Sequence, residues 1–479
     1  MKKIVIIIIS ISLFISCKKE VKEKEKPSLS AKINTIAPLT DAVLETAVIY
    51  EANIRQYSKA GTFDAFTKDI PQLKELGVNI IWLMPVFPIS KVKRKATGDK
   101  FASDFPKEEQ SKYLGSYYAV SDFKKINPEF GTIEDFRELL TTAHENDMYV
   151  ILDWVPNHTG WDHTWITTNP DFYTKNDKGE ITDPLNEDGT PVGWADVADL
   201  NYDNPALRKQ MISDMSYWIT EENIDGFRCD VAGSVPTAFW QQAVPELRKL
   251  KKIFMLAEAW EPELLKEGLF DMGYGWDRHH TMNHMAKGEK DVMEWDETFS
   301  KDTARYEADD ILMTFVTNHD ENSWNGTIEE RMGDASQLCT ALSFLVPGMP
   351  LIYSGQEYGL SHRLKFFEKD SIPKTKGKEW SLLQKLGQLK QEDDALHGGK
   401  KPANYTRIMT GNPNILSFQR NKNDSNLLFV GNFSKEEQNI EWAIEGTYKN
   451  YMNTETIAIN PATKMRLKPY EYLILNRVR

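Results

Sequence analysis

Eight short apolar runs, each followed by a stretch of helical periodicity, constrain this 479-residue chain more than any other feature. They are "AVIYEANIRQ", "VNIIWLMPVF", "MYVILDWVPN", "IDGFRCDVA", "IFMLAEAW", "LFDMGYGW", "ILMTFVTNHD" and "PLIYSGQEYG". Between them stand helix-like stretches such as "FDAFTKDIPQLKELG", "IEDFRELLTTAHEND" and "PALRKQMISDMSYWITEEN". Continuous apolar strands alternating with helices predict a parallel sheet covered on both faces. Eight such units predict an α/β fold of the (β/α)8 barrel type, a TIM barrel, over residues 46–157 and 200–395. Several runs end in polar residues, Asn157, Asp230, Glu258 and Asp320, and barrels of this kind carry their chemistry at the C-terminal mouth.

Two insertions interrupt the alternation. Residues 158–199 form no clear helix and are rich in Asp, Asn, Thr, Gly and Trp, which reads as an ordered lobe after the third strand. A polar, basic stretch at 88–114 reads as a flap. From 396 to 479 the pattern changes to short alternating strands with turn residues between them, a separate antiparallel β-domain.

The first residues follow other rules. "MKKIVIIIISISLFISC" has two lysines, thirteen uncharged residues and then Cys17, too short a run to span a bilayer. Residues 1–17 read as a signal peptide of the bacterial lipoprotein type, with the lipid on Cys17 as the only membrane attachment. Residues 18–45 read as a solvated tether, and the protein is expected on a bacterial membrane after export, as a monomer. Cys229 and Cys339 are far apart and offer neither a metal site nor a disulfide framework. The net charge of −13 argues against a nucleic-acid partner and suits an uncharged substrate. Thirteen Trp and eighteen Tyr supply flat apolar faces of the kind that stack on sugar rings.

The candidate chemistry lies in "GFRCD" and "AEAW". Strand side chains alternate, so Arg228 and Asp230 share a face, and the guanidinium is expected to keep Asp230 ionised. Glu258 stands between Ala257 and Ala259, near Leu256 and Trp260, where poor solvation is expected to hold its proton. A charged and a protonated carboxyl about 5–5.5 Å apart cleave a glycosidic bond with retention. Each feature alone reads equally as an ion pair and an exposed acid. At two other strand ends, Asp153, Asn157 and His158, then Asn318, His319 and Asp320, offer neutral imidazoles and a further carboxylate for sugar hydroxyls.

In order along the chain, "DWVPNH", "GFRCD", "AEAW" and "VTNHD" resemble the four short regions of the α-amylase superfamily of retaining glycoside hydrolases. "YYAVSDF" at 117–123 and "ADVADLN" at 195–201 resemble two further segments of that family. The resemblance implies Asp230 as nucleophile, Glu258 as acid/base and Asp320 as transition-state stabiliser. It implies that Arg228 orients the nucleophile, His158 and His319 bind the same sugar, Tyr118 stacks on it and Asp153 supports the site from below. It also implies a C-terminal β-sandwich. Trp260, Trp194 and the flap are candidates for the leaving-group side, Trp260 foremost.

One departure stands out. Many relatives carry Lys-His where this chain has Gly233 and Ser234, and the His backbone there commonly completes a calcium site. Asn157 and Asp199 match two further calcium ligands, too few by themselves to establish a cation that takes six or more oxygens; a structural calcium stays open, and the chemistry is expected to require no metal or other cofactor. The expected substrate is an α-glucan, cut at internal α-1,4 bonds. A cyclomaltodextrinase, a neopullulanase-like enzyme and a 4-α-glucanotransferase share the same carboxylates. A sugar-binding barrel without activity requires a missing carboxylate, and all three are present.

Overall fold

In a computed structural model, the structure describes residues 36–478 apart from Glu187. The signal-peptide and Cys17 expectations, and most of the tether, lie outside the described residues. Among the described residues no helix is long and apolar enough to cross a membrane.

All eight apolar runs are strands. β1 (Ile49–Ala52), β2 (Ile80–Leu83), β3 (Tyr149–Trp154), β4 (Gly226–Cys229), β5 (Phe254–Ala257), β6 (Met272–Tyr274), β7 (Ile311–Thr314) and β8 (Met349–Tyr353) close into a parallel barrel. Alternation sorts their side chains. Ile49, Ile80, Ile151, Leu256, Met272 and Met313 fill the inside, whereas Tyr50, Ile81, Leu152, Phe227 and Met255 face the helices. Arg228 pairs in register with Asp153 on β3 and with Leu256 on β5, which brings these strands' charged ends to one level.

The helix-like stretches fold as expected in two cases, Ile133–Glu145 and Pro205–Thr220. The first begins in a reciprocal capping box between Thr132 and Asp135, and the second behind Asn204 with Pro205 in its first turn. The third expected helix is broken into Phe63–Thr67, Ile70–Leu73 and a 3₁₀ turn at Lys74–Leu76. Pro71 is the reason: it has no N–H to give and its ring conflicts with the carbonyl four residues earlier.

The tether is corrected at its end. Helix Asp41–Thr46 is capped by Thr40, and Leu39 and Leu44 are buried against Ile49, Ile80, Phe254 and Ile311, the first residues of their strands. Tyr149 donates to the Ala37 carbonyl at 3.0 Å. Residues 37–46 therefore plug the barrel floor; so short a segment carried no periodicity that would reveal it.

The lobe hangs on an antiparallel ribbon, His158–Gly160 against Val197–Asp199, and its only helical turns are Trp165–Thr168 and Pro170–Phe172 among the described residues. The 88–114 insertion is tied at its ends: Ser90 N–H donates to the Ala119 carbonyl (2.8 Å), and Leu114 N–H to the Phe367 carbonyl (2.6 Å). The C-terminal domain is a six-stranded antiparallel sheet plus a two-stranded ribbon, Gln438–Ile440 with Met465–Leu467. One sheet face joins the main core through Leu416, Phe418, Leu427 and Phe429, and the other packs Leu428, Val430 and Leu475 on Ile440 and Leu467 of the ribbon. Buried Arg420 donates to the Leu345 and His397 carbonyls at 2.8 and 2.9 Å, pinning the sheet to the barrel.

Leu44→Ala is expected to destabilise the fold by about 2–5 kcal/mol, the range for emptying a packed leucine site. Urea unfolding that matches the unsubstituted protein would return residues 37–46 to the tether.

Candidate active site

Arg228 organises the barrel mouth. Its guanidinium is completely buried, and Nη1 donates to both Asp153 Oδ1 and Asp230 Oδ1 at 2.8 Å. Nη2 stands 2.8 Å from Glu258 Oε2, a charge contact that lacks hydrogen-bond alignment. Nε reaches Tyr274 Oη at 3.3 Å, and the Trp82 ring lies beneath the cation with its centroid 4.9 Å away. Asp153 is held in turn by Trp82 Nε1 (3.1 Å) and Tyr118 Oη (3.2 Å), which places it under the site as the resemblance implied. Buried charges survive in this way only when they are paired with opposite charge.

Both central carboxyls shift against the direction expected of them. Burial pushes Asp230 well above the usual carboxylate range; Arg228 opposes this, while Glu258 and Asp153 add to it. Burial pushes Glu258 up as well, but Arg228 and a hydrogen bond from Val231 N–H (2.8 Å) outweigh it and hold Glu258 below its ordinary value. In the unliganded site the two carboxyls titrate as one pair, and the hydrogen bond from Val231 N–H favours charge on Glu258. The alanines flanking Glu258 in sequence contain neither of its actual partners, which arrive from β4 and the turn after it. Val231 owes its aim to backbone strain: it is β-branched yet sits at φ +37°, left-handed.

The histidines also divide. His158 is neutral, pushed down to about 4 by burial. His319 is a cation, contrary to expectation. Burial lowers it, but Asp320 and Glu51 prevail and raise it to about 9. Its Nδ1 donates to Glu51 Oε1 at 2.5 Å, and its Nε2 to Tyr118 Oη at 2.8 Å, with Asp320 Oδ2 at 3.4 Å. Tyr118 stacks on His319 (5.6 Å, 28°) and on Phe366 (6.4 Å, 13°). Asp320 is partly exposed and accepts from Trp324 Nε1 at 3.2 Å.

Asp230, Glu258, Asp320, Tyr118, His158 and His319 line one cavity of about 350 Å3. Arg228 lies behind its wall. Trp260 is outside it, 42% exposed, in a neighbouring cavity that shares Val231, Glu258 and Trp194 with the first. Sequence reasoning passed over Glu51, Val231, Trp324 and Phe366. A charge inside "IYEAN", at the end of an apolar run, was the signal for Glu51; the others left none.

Of the two residues that match calcium ligands, Asn157 has its Nδ2 facing His158 Nδ1 at 3.3 Å, and burial raises the Asp199 carboxyl to about 6. Among the described residues no cluster of three His, Cys, Asp or Glu side chains could hold a metal ion.

The model of the alpha-amylase catalytic domain matches residues 44–398. Alpha-amylase 3 of Dictyoglomus thermophilum is 24% identical over 504 aligned positions, covering 90% of this chain and 93% of that protein. A 4-alpha-glucanotransferase of Thermotoga neapolitana is 29% identical over 357 positions, covering 65% and 71%. Among solved structures, the noncanonic maltogenic alpha-amylase AmyB from Thermotoga neapolitana has a TM-score of 0.79 at 28% identity, over 91% of this chain and 99% of that one. A closed barrel with three carboxylates around a buried arginine at its mouth, matched by that model across most of its length, belongs to the alpha-amylase family of glycoside hydrolases.

Proposed function

We propose that the protein hydrolyses internal α-1,4-glucosidic bonds of starch-like glucans with retention, through a covalent glycosyl-enzyme intermediate. One observation carries this reading: Asp230 and Glu258 meet the two η nitrogens of one guanidinium and face the same cavity. Asp230 attacks the anomeric carbon and forms a glycosyl ester as the linkage oxygen leaves with a proton from Glu258. Glu258, now ionised, takes a proton from water, whose oxygen displaces Asp230 and restores the carboxylate. The reaction requires the pair's proton on Glu258 and the charge on Asp230. Arg228 Nη1 donates to Asp230 and stabilises that carboxylate. Asp320 and the His319 cation offer an acceptor and a donor to hydroxyls of the sugar before the cut, neutral His158 offers a further polar edge, and Tyr118 gives the ring a flat floor.

The rival reading is transfer to a sugar acceptor, as the name of the Thermotoga neapolitana relative states for that protein. It differs only in what attacks the glycosyl ester. We further propose that the chemistry needs no metal, that the protein is a monomer, and that a lipid on Cys17 anchors it after export.

Asp230→Asn is expected to lower kcat by at least about a thousandfold while the unfolding transition is kept, because the amide cannot form the ester. A near-normal rate would remove Asp230 from its role. Maltoheptaose digested in EDTA is expected to give only shorter α-glucans, released as the α-anomer by NMR. Longer oligomers would mean transfer, a β-anomer would exclude retention, and loss of activity to EDTA would restore a metal. Unfolding should also report on His319. The folded state keeps its proton up to about pH 9, whereas the unfolded chain releases it near 6.5. This contribution, about 3 kcal/mol, is full below pH 6.5 and is lost as pH rises through 9. His319→Gln should flatten that alkaline decline; equal slopes would exclude the His319 cation.

A further inference from the structure

We infer that Glu261, seated over Gly233, is the specificity-determining residue for the sugar on the leaving-group side of the cut. The inference rests on the reading above, in which Glu258 protonates the linkage oxygen. The cavity with Tyr118, His158, His319 and Asp320 then holds the sugar under attack. The second cavity, about 910 Å3, meets it at Glu258 and Val231 and runs on past Gly233, Ser234, Trp260 and Glu261. It is the place for the sugar that departs.

Gly233 is what admits Glu261 there. A Cβ built on Gly233 would stand 2.5 Å from Glu261 Oε2 and 2.9 Å from its Cδ, so the carboxylate occupies the volume a side chain at 233 would need. The backbone does not demand glycine, since Gly233 lies in the 3₁₀ turn Ala232–Ser234 and is not left-handed. Trp260 N–H donates to Glu261 Oε2 at 2.9 Å and clamps the carboxylate in place. The Trp260 carbonyl accepts from Arg305 Nη2 (2.6 Å) and Tyr306 Oη (2.8 Å), which braces that turn against the barrel rim. The exposed Trp260 indole lies against Trp276 with centroids 5.7 Å apart.

A flat apolar face beside a charged acceptor matches a neutral sugar, whose ring C–H groups stack while its hydroxyls donate. The leaving sugar therefore meets an acceptor. The site selects for a sugar that can direct hydroxyls at Glu261, and the small residue at 233 belongs to the same device.

The test compares two substrates that share the donor side. Maltoheptaose departs through a sugar, whereas α-maltosyl fluoride departs through fluoride and makes no sugar contact beyond Glu258. The ratio of kcat/KM on maltoheptaose to kcat/KM on the fluoride is expected to fall about tenfold in Glu261→Ala, the loss for one charged hydrogen bond. Gly233→Ala, which displaces Glu261, should give a similar fall, and the double variant should be no worse than the lower single variant. An unchanged ratio in Glu261→Ala overturns the inference, as do losses that multiply in the double variant. A wild-type protein that cleaves neither substrate instead overturns the glucan-hydrolase reading itself.

Discussion

One buried guanidinium holds the barrel mouth together. Arg228 has no contact with solvent, and it answers three carboxylates, Asp153, Asp230 and Glu258, from three adjacent strands or their ends. Removing the guanidinium would leave buried carboxylates without their cation, at a cost of about 3–5 kcal/mol. The same cation sets the field in which the reacting acids titrate. With three acids and one cation confined together, the carboxyls titrate as a coupled set whose balance the hydrogen bonds tilt. Stability and chemistry are therefore two consequences of one contact.

Around that centre the charges form a continuous chain. Glu51 holds His319, His319 donates to Tyr118, Tyr118 to Asp153, and Asp153 accepts from Arg228. Each member is oriented by the one behind it, so the groups that face a sugar are held in place before a sugar arrives. The strained turn at Val231 serves the same end by pointing an amide at Glu258, a backbone cost that neighbouring packing must offset. The turn after Trp260 completes the rim, where Gly233 yields its space to Glu261.

The barrel was legible because its signal is local. Each apolar run forms a strand whose two faces are covered, and the period of two put Arg228 and Asp230 on one side. Asp153, Asn157, Asp230, Glu258 and Asp320 were recognisable as charges and amides at strand ends, and the structure brings four of the five around Arg228 and the first cavity, with Asn157 lining the second. Other features were illegible for equally physical reasons. Leu39 and Leu44 sit in a short segment and become core only once a barrel floor exists to receive them. Pro71 splits a helix whose apolar spacing looked continuous.

The charge states mark the boundary most clearly. From sequence, Glu258 lies in apolar surroundings and His319 beside an asparagine and an aspartate; in space, Glu258 meets Arg228 and Val231 N–H, and His319 is flanked by two carboxylates. Which residue types stand at the mouth, and on which strands, was determined by the sequence alone, because hydrophobic periodicity and strand order act over a few neighbouring residues. Which of them carries the proton, and which carboxylate fills the space above Gly233, only the tertiary structure decided, because both depend on distances of about 3 Å between groups many residues apart in the chain.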